Sequence, residues 1–186
     1  VAPVVTCQDI TVQLDGSGTA TITIDPTNGF EDNKGYYVEI SNTAFDDLAG
    51  NAYAGITDNS TWNFTTIDTA APKVDTYVPA DNATGVSLTD DLVLTFTETV
   101  VKGTGNIVVY ESGAGVFETI DVTSGKVSVS GAQVTINPTG TFEDSTDYYV
   151  QVASTCFDDL IGNDYAGIGD NTTWNFTTVD TTTPRV

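Results

Sequence analysis

The sequence predicts an all-β chain of tandem antiparallel β-sandwiches. Three observations predict it: apolar residues alternate with period two, glycine-bearing turns separate the alternating stretches, and the chain repeats itself. The alternation is plain at Ile10, Val12 and Leu14 against Thr11 and Gln13, and at Leu92, Leu94 and Phe96 against Val93, Thr95 and Thr97. It recurs at Tyr148, Val150 and Val152 against Tyr149 and Gln151, and at Trp174 and Phe176 against Thr173, Asn175 and Thr177. Successive strand side chains point to opposite faces, so these stretches suit sheets with one dry and one wet face. Asp15-Gly16-Ser17-Gly18, Lys102-Gly103-Thr104-Gly105, Ser112-Gly113 and Ser130-Gly131 supply the turns between them. No window carries a strong amphipathic helix.

The repeat organises the chain. Residues 24–74 align without gaps on residues 136–186, at the spacing from Ile24 to Ile136 of 112 positions, and about three-fifths of the pairs are identical. Both copies close on Phe-Thr-Thr, Asp-Thr and then proline, and Pro72 and Pro184 match Pro3 near the start. This predicts one unit at 1–71 and a longer one at 72–186 that ends where a further repeat begins, a slice of a longer array. Expected strands in the first are 4–7, 10–14, 19–24, 36–40 and 62–66. The second adds 92–96, 106–110, 116–120 and a linking edge, which makes a sandwich of roughly eight strands. A short unit of this kind buries little surface and leaves sheet edges open. Three outcomes stand open for it: a small closed sandwich, packing on the longer unit, or a strand received from a neighbouring chain.

Charge narrows the function. Twenty-six acidic residues face five basic ones with no histidine, a net charge of −21. Such a chain repels nucleic acid and anionic membranes and attracts cations. Without histidine there is no Ser–His or Cys–His dyad and no ordinary zinc site. No apolar run is long enough to cross a bilayer as a helix. A glycosidase carboxylate pair would occur twice, once per repeat, so the expectation is that the chain is not an enzyme. Cys7 and Cys156 fall in different units and are read as free, as meeting between packed units, or as linking adjacent molecules.

The candidate cation ligands lie in two matching loops. Asp46, Asp47, Asn51 and Asp58 occupy the first, and Asp158, Asp159, Asn163 and Asp170 the second. Asp68 and Asp81 add a possible interdomain pair, since a cation held by linker residues would stiffen a string of modules. Ca2+ takes six to eight oxygens from carboxylates, amides and carbonyls, which a loop of this composition offers. The same residues also make ordinary turns, with aspartate bonding its own backbone. Glu31-Asp32 and Glu143-Asp144, ahead of each Tyr-Tyr strand, read as solvated turns. Trp62 and Trp174 alternate with Asn and Thr, which places both in a core.

The second unit also carries a recognisable set of motifs: Pro79-Ala-Asp-Asn-Ala-Thr-Gly-Val86, Leu94-Thr-Phe-Thr-Glu98, the Tyr148-Tyr149-Val150 strand and Asp159-Leu-Ile-Gly-Asn163. In these it resembles the SbsA-type bacterial Ig-like domain, while the opening of the first unit, residues 2–23, is similar to HYR-type surface repeats. The resemblance implies tandem Ig-like antiparallel β-sandwiches that act as a spacer or stalk in S-layers, adhesins or secreted multidomain enzymes, with no catalytic residues. The functional expectation is therefore a structural or adhesive repeat region of a secreted bacterial cell-surface protein, stiffened by calcium. Its expected partners are neighbouring repeats, a further copy by strand exchange, or a surface glycan or protein. The alternative is an accessory or carbohydrate-binding region of a secreted polysaccharide-degrading enzyme.

Overall fold

The computed structural model describes residues 7–14, 20–47 and 49–183, with residues 7–14 and 20 described by their backbone alone. The expected strand at 4–7, the turn at 15–18, Pro3, Pro184 and the Cys7 side chain lie outside this description. The chain divides into two compact units, Val1–Thr69 and Ala70–Val186. Among the described residues regular structure in both is entirely strand.

In the first unit β1 (Cys7–Leu14) pairs antiparallel with β2 (Ala20–Pro26), and β3 (Gly35–Tyr37) with β4 (Asn63–Thr65). The Tyr-Tyr strand is shorter than its alternation predicts, and beyond it the backbone continues through a bridge between Ile40 and Ile56. Phe30, Tyr36 and Phe64 form one aromatic cluster, with ring centroids 4.8, 5.2 and 5.8 Å apart. Tyr36 is the one fully buried apolar side chain among the described residues of this unit.

The described residues of the second unit form eleven strands where roughly eight were expected. These are β5 (Val74–Val78), β6 (Ala83–Val86), β7 (Leu92–Phe96), β8 (Val100–Lys102), β9 (Asn106–Glu111), β10 (Gly115–Asp121), β11 (Val127–Ser130), β12 (Gln133–Ile136), β13 (Asp147–Val152), β14 (Phe157–Asp159) and β15 (Asn175–Thr178). The added ones are short edge pieces, which local alternation does not reveal. One sheet runs β10-β9-β13-β15-β6 and the other β11-β12-β7-β5, with β14 and β8 pairing separately. Among the described residues all strand pairings here are antiparallel except β15 with β6.

The alternation maps directly onto burial. Leu92, Leu94 and Phe96 are buried while Val93 and Thr95 are half-exposed, and β13 and β15 repeat the pattern. The two inner faces meet in one core around Trp174, Phe157, Tyr148 and Phe176. Trp174 is buried with its indole N–H donating to the Pro79 carbonyl at 2.9 Å, so its polar atom is satisfied.

Candidate functional site

Each acidic loop is built from aspartates that hold their own turns. In the first unit Asp47 accepts from the Ala49 and Asn51 backbone N–H groups at 2.9 and 2.8 Å and from the Asn51 amide at 2.7 Å. Asp58 accepts from backbone and hydroxyl of both Ser60 and Thr61 at 2.6–2.8 Å. The second unit repeats this. Asp159 accepts from Ile161 and Asn163 at 2.7–2.9 Å, and Asp170 from Thr172 and Thr173 at 2.8–2.9 Å. These donors stabilise the charged carboxylates. Asp58 is held well below the usual range, and Asp170 is lowered to about 2 by the Thr172 and Thr173 donors. For Asp159 desolvation pushes the other way, but the bonds from Asn163 and Ile161 leave its pKa lowered.

Thus the structure brings Asp47 to Asn51 and Asp159 to Asn163, while Asp58 and Asp170 each turn onto the hydroxyls that follow them. Asp68 accepts from the Asn33 amide at 2.6 Å, within the first unit. Asp81 accepts from the backbone and amide of Asn175 at 3.1 and 3.0 Å, within the second. Glu31-Asp32 and Glu143-Asp144 are more than solvated turns. Asp32 accepts from Thr69, and Asp144 from Thr181 at 2.6 and 2.8 Å, so each fastens the tail of its unit. The Glu31 and Glu143 backbone N–H groups donate to the Tyr36 and Tyr148 hydroxyls at 2.7 and 2.9 Å.

Asp158 behaves differently. Desolvation, a hydrogen bond with Asp164 and the charges of Asp164 and Asp159 raise its pKa, and its buried Oδ1 has no protein partner. Asp158 and Asp164 face each other across an isolated bridge. An orphaned carboxylate oxygen beside a second carboxylate fits a hard cation, which would satisfy the oxygen and relieve the repulsion. Of the two residues, sequence reasoning missed Asp164. Its counterpart in the first unit is Ala52, so the repeat carried no signal for it.

Cys156 is a buried free thiol donating to the Asn106 carbonyl at 3.4 Å, and burial pushes it up to about 11. On the outer face of the second unit Tyr110 and Tyr149 stack almost parallel at 4.7 Å.

The first unit carries an open apolar groove of about 620 Å³, lined by Ile22, Ile24, Ile40, Phe45, Tyr53 and Trp62 among others. Trp62 is 44% exposed and Tyr53 41%, although their counterparts Trp174 and Tyr165 are 0% and 6% exposed. The expectation of a core Trp therefore holds for Trp174 and fails for Trp62. The indole lines the groove and stays half-exposed among the described residues.

The family described as bacterial Ig-like domain matches residues 2–66 and again residues 68–178. No curated protein matches the chain.

Proposed function

Because the chain belongs to the bacterial Ig-like domain family, whose members occur in bacterial surface proteins and are generally non-catalytic, we propose that it is a non-enzymatic structural and adhesive repeat segment of a large secreted cell-surface protein of the SbsA type. The observation that carries this is the use made of the acidic loops. In both units the same aspartates are spent on closing turns and fastening tails, an arrangement that holds shape. The charge of −21 keeps such modules soluble and apart from nucleic acid and anionic lipid. Neighbouring repeats of the same protein are the mechanical partners.

Antibody against the chain should label intact producing cells without permeabilisation. Label that appears only after lysis would sink this reading. The calcium part centres on Asp158 and Asp164. A melting curve of the full chain should shift upward with added calcium and back with chelator, by mass action on the folded state. Asp158→Asn should abolish the shift, and a wild-type midpoint indifferent to calcium would remove the metal from the proposal.

A second reading rests on the mutually stacked, half-exposed Tyr110–Tyr149 pair, whose outward ring could meet a sugar ring, as in an accessory module of a polysaccharide-degrading enzyme. Glycan binding lost in Tyr149→Ala would favour it.

A further inference from the structure

We propose that Asn28-Gly29 is a site of spontaneous covalent modification: the Gly29 backbone nitrogen attacks the Asn28 side-chain carbonyl, and Asn28 becomes aspartate or isoaspartate. The modification is independent of the structural role proposed above.

Such a reaction needs an accessible side-chain amide, a following backbone nitrogen that is not donating elsewhere, and no side chain on that residue to hinder the approach. Asn28 and Gly29 lie just past the end of β2, and both are exposed. Among the described residues neither the Asn28 side chain nor the Gly29 N–H has a hydrogen-bond partner. Glycine has no Cβ, and even a Cβ built at Gly29 would meet nothing within 4 Å. Of the twelve asparagines, Asn28 alone is followed by glycine. Asn42, Asn59 and Asn171 are exposed as well, but the N–H after each is already engaged. Thr43 donates to the Ser41 hydroxyl at 3.2 Å, Ser60 to Asp58 at 2.8 Å and Thr172 to Asp170 at 2.8 Å. The matching turn of the second unit has Gly140 in place of Asn28, and its Thr139 and Gly140 N–H groups donate to Glu118 at 2.8 and 3.4 Å. The repeat thus sets one open turn beside one tied turn.

The Gly29 nitrogen loses its proton and forms a bond to Asn28 Cγ, the Cγ–Nδ2 bond breaks, and ammonia leaves. Water then opens the cyclic imide. Cleavage of the nitrogen's bond to Cγ gives aspartate. Cleavage of its bond to the main-chain carbonyl carbon gives isoaspartate, with Gly29 now joined through Cγ. Water is the only co-reactant, and nothing is oxidised or reduced. Either product adds one negative charge to a chain already at −21. Isoaspartate also lengthens the main chain by one methylene just ahead of Phe30, which packs on Tyr36 and Phe64 at 4.8 and 5.2 Å.

The test holds the full chain at neutral and at mildly alkaline pH, natively and in urea, and follows ammonia release, anion-exchange retention and fragment masses. One ammonia per chain should appear ahead of any other and map to Asn28, with aspartate and isoaspartate both formed. The rate should rise with hydroxide, because the attacking nitrogen must be deprotonated. The native rate should match the rate in urea, since the turn blocks neither reacting group. Gly29→Ala should lose most of the conversion while keeping the wild-type urea midpoint, its added Cβ facing open space. Asn28→Asp should release no early ammonia and elute with the aspartate product. Three results would each overturn the inference: Asn28 intact while Asn59 or Asn171 converts, conversion confined to the unfolded chain, or an undiminished rate in Gly29→Ala.

Discussion

Phe30 and Phe142 offer a controlled comparison of one side chain in two states of cover. Each precedes Glu-Asp, each packs on the first Tyr of the Tyr-Tyr strand at 4.8 Å, and each meets the Phe of the last strand, at 5.2 and 5.4 Å. Only Phe142 has Phe117 against it. Phe142 is 2% exposed, so Phe142→Ala loses the whole transfer contribution and leaves a closed cavity, a cost of about 3–5 kcal/mol. Phe30 is 45% exposed, so little more than half its surface is out of water. Scaling a transfer of about 2–3 kcal/mol for a full Phe gives a loss of about 1–1.5 kcal/mol, with no cavity contribution because the site is open. The difference between the twins should therefore be about 2 kcal/mol or more. Urea unfolding measures it, with Trp62 reporting the first unit and Trp174 the second. Equal losses within about 0.5 kcal/mol would refute the reasoning, because they would mean that Phe30 is covered in solution.

Three further outcomes follow from the second unit. In a Cys7→Ser chain, Cys156 should resist a thiol reagent natively and react once in urea; the folded chain should lose stability as pH rises from about 9 toward 11, since its thiol pKa is raised and the unfolded state ionises first. Reaction of the native thiol at the rate of a free one would contradict the burial. Asp158→Asn should raise the midpoint near neutral pH without calcium, because it removes a carboxylate that is desolvated and repelled by Asp164 and Asp159. Its gain should shrink on acidification: the raised pKa means that wild-type Asp158 contributes stability when protonated and loses it as pH rises, so a gain independent of pH would exclude this cause. Gly167→Ala should destabilise by about 2 kcal/mol or more, combining a left-handed backbone with φ of 80° and a Cβ that would stand 2.6 Å from the Val152 carbonyl oxygen; an unchanged urea midpoint would show the turn can relax.

What the sequence made legible is what local chemistry decides. Period two placed Leu92, Leu94 and Phe96 on the inner face, and the match between Ile24 and Ile136 put the Tyr-Tyr and Trp strands at the same place in both units. The plain-turn alternative was legible at Asp47 and Asp159, which bond the backbone of the turn that follows them, whereas the closure of Asp58 and Asp170 on the Ser and Thr groups two and three positions on was not read from the sequence. Whether a carboxylate faces a cation or its own backbone is set by side-chain torsions, and these leave no trace in spacing. Hence ten aspartates and asparagines could be marked as ligands while Asp164 went unmarked. Small edge strands such as β8 and β14 escaped as well, being too short to show a period.

The wrong expectation at Trp62 has a different origin. Trp62-Asn-Phe64-Thr-Thr66 and Trp174-Asn-Phe176-Thr-Thr178 are the same five residues in the same order, yet one indole is 44% exposed and the other is fully buried. A pattern specifies which face a side chain takes; a partner distant in sequence decides whether that face is dry. For Trp174 the partner is Tyr77 and the Pro79 carbonyl, almost a hundred residues away. Phe30, Tyr36 and Phe64 still form their aromatic cluster in the first unit, and the Tyr36 hydroxyl still accepts from the Glu31 N–H, because those contacts are made between residues near in the repeat. The groups that cover Trp174, Tyr165 and Phe142 in the second unit, Tyr77, Phe96 and Phe117, come from the stretch that precedes the repeated segment.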